Sequence, residues 1–134
     1  MKVLHINNNY LIRPLHQVMI DQMGACNIEN DVFVPTYSKR RSVVSSRENV
    51  VISECFDKWN RAFFDLKQKR IYTALEDAFD AKSFNLIHAY TLFTDGNVAM
   101  KLSNQYGVPY VVAIRNTDVN VFFKYMFHLR HRGI

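Results

Sequence analysis

Five short apolar runs, KVLHIN, NDVFVP, VVISECF, FNLIHAY and YVVAI, are set along the chain with helix-patterned segments between most of them. No other feature restricts the fold as much. Apolar runs of this length suit strands covered on both faces, and strands that alternate with helices build a mostly parallel sheet. Between the first two runs, Leu15, Val18, Met19, Ile20 and Met23 recur at helical spacing, with Pro14 at the first helical position and Gly24 as the stop. A second helix is expected from Asp57, its N-cap, to about Phe79, with Trp59, Phe63, Leu66, Ile71 and Leu75 on its apolar side. DGNVAMKLSNQYG reads as a third helix ended by Gly107, and Thr117 or Asp118 opens a last one carrying Val119, Phe122, Phe123, Met126 and Leu129. Only the second and third strands are joined by a loop, the polar and basic stretch 36–49. Right-handed crossovers then favour an α/β fold with a parallel five-stranded sheet of order 3-2-1-4-5, flanked by helices.

With 134 residues, 49% apolar and 22% charged, the chain fits one soluble globular domain. It has no apolar run of the roughly 18 residues that a membrane-spanning helix needs, and MKVLHINNNY lacks the apolar centre of a secretory signal, so a cytoplasmic protein is expected. Cys26 and Cys55 stand apart and read as reduced thiols in or near the core. Seventeen Lys and Arg against twelve Asp and Glu give a net charge of +5, which suits a phosphorylated ligand or an anionic membrane surface and is also ordinary variation.

In the order 3-2-1-4-5 the winding reverses between the first and fourth strands, and ligands bind in the crevice outside the carboxyl ends of such strands. The loop NNNYLIRP and the loop after His88 face each other there. Three common uses of that crevice are unsupported. The first loop has three asparagines where a dinucleotide site has Gly-x-Gly-x-x-Gly, the chain holds no Gly-Lys-Ser or Gly-Lys-Thr, and Asn7, Asn8 and Asn9 stand where a phospho-acceptor domain needs carboxylates.

The stretch IHAYTLFTDGNVAMKLSNQYGVPYVVAIRNTDVNVFF, with MKVLHINN at the start, resembles the N-terminal domain of GT-B glycosyltransferases of family 4, the group 1 type that builds bacterial surface polysaccharides. The likeness is specific over residues 86–123. It implies two Rossmann-like halves with the active site between them, the first binding a glycan or lipid-linked acceptor and the second binding the nucleotide sugar through a Glu-x7-Glu motif. Residues 1–134 then form a single three-layer Rossmann-like domain, a fragment whose C-terminal donor domain is missing. Such a fragment is inactive alone and binds no cofactor or metal, while the full-length hexosyltransferase uses a nucleotide-sugar donor. The resemblance also implies peripheral contact with the inner face of the membrane.

Residue by residue, the carry-over is uneven. Relatives show His-x-His at the end of the fourth strand and a glycine opening the next helix; here these positions are His88, Tyr90 and Gly96. Where others have a cleft histidine just after the fifth strand, this chain has Asn116, which orients a hydroxyl but shuttles no proton. The expected acceptor or sugar cleft is therefore Asn8, Asn9, Arg13, His88, Tyr90, Arg115, Asn116 and Asp118, with Lys39, Arg40 and Arg41 as an anion or membrane contact.

Each of these has a plainer alternative. His88 ends a core strand, Asp118 caps a helix with Arg115 paired to it, and SKRRS is a solvated loop. His5 reads as structural, KQKR at 67–70 as a solvated helix face, and Trp59, Phe63 and Phe64 as core. A stand-alone sugar or phosphosugar binding module is the second function class. A nucleic-acid partner is not expected, because the basic residues are not interleaved with aromatics. YVVAI is left as an edge strand open to self-association, which Val112→Lys is expected to reduce.

Overall fold

A computed structural model describes residues 1–37, 47–57, 59, 63–122 and 124. Its strands are β1 (Lys2–Ile6), β2 (Glu29–Tyr37), β3 (Val50–Phe56), β4 (Leu86–Ala89) and β5 (Tyr110–Val112). All pair in parallel in the order β3-β2-β1-β4-β5, the order that the alternation of strands and helices predicts. Among the described residues no helix is long and apolar enough to cross a membrane.

Strand side chains alternate, so β1 and β2 feed two cores. Leu4, Ile6 and Phe33 point to the face where α2 (Phe64–Ala78) and α3 (Asp95–Tyr106) bury Ile71, Leu75, Val98 and Leu102. Val32 and Val34 point to the opposite face, under Ile20 and Met19 of α1 (Pro14–Ala25). Helices on both faces give the three layers. Gly107 closes α3 with a left-handed φ of 73°, a conformation a side chain would strain.

Several local expectations need correction. Leu15 and Val18 are exposed, and α1 turns His16 and Ile20 inward, His16 toward polar partners on the loops after β1 and β5. Gly24 does not stop this helix; the chain turns at Asn27, with φ 60°. The second helix begins only at Phe64, without a side-chain cap, so Asp57 does not open it. Trp59 and Phe63 therefore precede the helix and stand in solvent at 82% and 65% exposure, while Phe64 is half-buried; the buried row is Gln68, Ile71 and Leu75. Cys26 is exposed at the end of α1, and Cys55 is the half-buried thiol. Asp118–Phe122 is wound as a π-helix, and Phe123, Met126 and Leu129 of the expected last helix lie outside the described residues.

β5 lies at the sheet's edge, and its side chains sort by face. Val111 is 47% exposed, whereas Val112 packs toward the start of α3 and joins the α2/α3 core. Val112→Lys would thus disturb packing as well as the edge.

Candidate functional site

Beyond Ile6 the chain turns through three asparagines without a glycine. Asn7 Oδ1 accepts from the Asn9 N–H at 3.0 Å, and the Asn9 carbonyl accepts from the N–H groups of Ile12 and Arg13. Side-chain bonding to the backbone two residues on is what lets asparagine make such a turn. The turn sets Asn8, Asn9 and Arg13 at the carboxyl edge of the sheet. The loop after β4 brings Thr91, Phe93 and Thr94, the loop after β5 brings Arg115, Thr117 and Asp118, and α2 contributes Lys67. Together they line a cleft of about 340 Å³, within the range of small-molecule pockets. A depression of about 210 Å³ shares Asn8, Asn9 and Lys67 with it and extends to Thr36 and Tyr37.

Two carboxylates hold these loops in place. Asp118 is buried; its Oδ1 accepts from the Leu92 N–H at 3.1 Å and its Oδ2 from the Arg115 N–H at 2.9 Å, tying the loop after β4 to the loop after β5. Asp95, at the start of α3, is fully buried between the asparagine loop and Thr91. Neither of its oxygens has a partner at hydrogen-bonding geometry among the described residues. Burial pushes its carboxyl up to about 7, against the opposing pull of the nearby Thr91 hydroxyl, the Asn8 N–H and Lys67.

Under α1 lies a cluster of rings. His5 Nε2 is 2.9 Å from Asn30 Oδ1, and the Asn30 amide nitrogen donates to the Ile28 carbonyl. That orientation makes Asn30 Oδ1 the acceptor and puts the proton on Nε2, so Nδ1 of His5 accepts from the Tyr90 hydroxyl at 3.1 Å. His16 sits between the Arg115 guanidinium at Nε2 and Asn7 at Nδ1. A guanidinium only donates, so Nε2 is the acceptor and Nδ1–H donates to Asn7 Oδ1 at 3.2 Å. Burial, with the charges of Arg115 and Arg13 added, keeps His16 neutral by lowering its pKa. His88 stacks on Tyr90 with ring centroids 4.4 Å apart, and burial, then the neighbouring His5 and His16, lowers it to about 4.

Of the residues expected at the cleft, Asn8, Asn9, Arg13, Arg115 and Asp118 line it together. His88 and Tyr90 do not line it. His88 pairs in register with His5, one residue short of the β1 end, and its ring lies with His5 and Tyr90 on the α1 face. Asn116 is exposed, and its side chain is bonded to Asn120. The guanidinium of Arg115 meets His16, and it is the backbone of Arg115 that Asp118 holds. Lys39, Arg40 and Arg41 lie outside the described residues.

Sequence reading passed over Lys67, Asp95 and His16. KQKR looks like a uniform charged face, yet Lys67 leans over the Phe56 ring at 4.9 Å and reaches the cleft while Lys69 and Arg70 are exposed. The signal for Asp95 was present, since an acidic residue in the first turn of a helix beside the switch point is well placed to face both loops. Compared with family models, curated proteins and solved structures, the chain has no match among them.

Proposed function

We propose that this chain is the acceptor-binding half of a nucleotide-sugar-dependent glycosyltransferase, serving bacterial surface polysaccharide or glycolipid synthesis. One observation carries the reading. The crevice between the β1 and β4 loops is lined by amide, hydroxyl and guanidinium groups, the set that binds and orients sugar hydroxyls. In a retaining transfer the leaving nucleotide departs from a sugar with oxocarbenium character, so an acceptor half need only hold the attacking hydroxyl in line. Asn8, Asn9, Thr91 and Thr94 supply neutral partners for that, and the nucleotide sugar belongs to a separate donor half. The reading sets the chain in the cytoplasm, against the inner face of the membrane where lipid-linked acceptors are presented.

Calorimetry with a panel of uridine and guanosine diphosphosugars is expected to show no saturable heat. Micromolar binding by this chain would replace the reading with that of a self-sufficient sugar-nucleotide module.

The same reading gives the β5 edge a role as the place where copies of the chain meet. Val111 is the residue to change, because it is exposed on the edge strand while Val112 packs toward α3. Val111→Lys is expected to lower the weight-average mass seen by light scattering at high concentration with little change in stability. An unaltered concentration dependence would remove the edge from consideration.

A further inference from the structure

Resting on the acceptor reading above, we propose that the group bound in this cleft is a phosphorylated polyol, its phosphate held by Arg13, Lys67 and Arg115 and its hydroxyls by Asn8 and the neighbouring threonines. Among the described residues the lining carries three cationic side chains and one carboxylate. That carboxylate, Asp118, is already bonded through both oxygens to backbone N–H groups, so it is held away from the Arg115 guanidinium. The guanidinium leans on a neutral histidine nitrogen that accepts one of its donors, which fixes its position and adds no negative charge beside it; no ion pair to it is present among the described residues. A fixed, planar fork of donors matches phosphate oxygens. Arg13 reaches the same cleft from the opposite loop.

The floor of the cleft asks for something else. Asn8 and Asn9 bring side-chain amides to the cleft, groups that accept from a hydroxyl as well as donate to it. The dianionic phosphate of an ester supplies acceptors only, whereas a hydroxyl both donates and accepts. Thr91, Thr94 and Thr117 add groups that both donate and accept. An anion and a hydroxyl-bearing body in one molecule satisfy walls and floor together. A base-bearing nucleotide fits less well, because among the described residues the lining offers one aromatic ring, Phe93. The amide end of α3 is taken up by its own Asp95, buried in the first turn.

The test is an NMR titration of the isotopically labelled chain with glucose 1-phosphate, glucose 6-phosphate, glycerol 3-phosphate, glucose and inorganic phosphate. At least one phosphate ester is expected to give saturable shifts at the amides of residues 8, 9, 91 and 115, with affinity at least roughly tenfold above glucose and above inorganic phosphate. Arg115→Gln is expected to reduce that affinity by about tenfold or more. Arg13→Gln, which leaves the His16 contact intact, makes the same test should Arg115→Gln fail to fold. Glucose binding as tightly as its phosphates would overturn the phosphate assignment and leave the acceptor reading standing. Inorganic phosphate binding as tightly as the esters would reduce the cleft to an anion site and overturn the polyol assignment. Silence at these amides with every ligand would take down both readings.

Discussion

Asp95→Asn is expected to gain stability over the parent as pH rises, the gap in unfolding free energy widening by about 4 kcal/mol between pH 4 and pH 8. The sign follows from which state binds the proton. Asp95 is fully buried, neither of its oxygens has a partner at hydrogen-bonding geometry among the described residues, and its folded pKa stands at about 7 against an ordinary value of 3.8. Between those values the native chain holds a proton that the unfolded chain has released, so this carboxyl's contribution to stability falls as pH rises and levels off above 7. His5, His16 and His88 slope the other way. Their folded pKa values are lowered, so the native state loses ground as pH falls below 6.5, and for His88 this continues to about 4. Because both proteins carry all three histidines, the difference between them isolates Asp95. Urea unfolding at a series of pH values measures it, and parallel curves would show that Asp95 is ionised and paired in the folded chain.

Gly96→Val is expected to cost about 3 kcal/mol and to loosen the cleft with it. A carbon added at Gly96 would lie 3.2 Å from the Thr91 carbonyl oxygen and 3.3 Å and 3.4 Å from the two Val112 methyls. The carbonyl is backbone, held by the Gly96 N–H at 2.8 Å, and Val112 is packed against the core, so neither side yields easily. Gly96→Ala should cost less, about 1 kcal/mol, since it adds only the first carbon. Thermal unfolding of the two variants gives the order, and equal midpoints for Val and wild type would mean that α3 shifts freely on β4 and β5.

The sheet was legible because the apolar runs and the helices between them leave few ways to wind the chain. Order and parallel pairing follow from YVVAI, FNLIHAY and the rest with little else needed. What periodicity missed has a common cause. His16, Gln68, Asp95 and Asn97 are polar residues turned inward, and a hydrophobic pattern assigns such positions to solvent. Their partners are far away in sequence, as with Asn97 donating to Gln68 at 2.9 Å, or Arg115 reaching His16. Trp59 and Phe63 failed in the opposite sense, because apolar character says nothing about a segment that lies ahead of its helix. At the cleft, the loops that converge could be read from topology. Which side chain on each loop turns inward could not: His88 lies one register position below the β1 end, and Asn116 lies outside.

The buried carboxylates of the cleft and the less buried cations that line it have separate duties, and this separation bears on how such a site can change over evolutionary time. Asp118 binds backbone, and Asp95 lies sealed between two loops, so replacing either alters the frame. Arg13 and Thr94 sit on loops whose shape is set by those other residues. Exchanges at such positions leave the frame standing, so preference for one ligand over another can drift through single substitutions while strand register stays as it is.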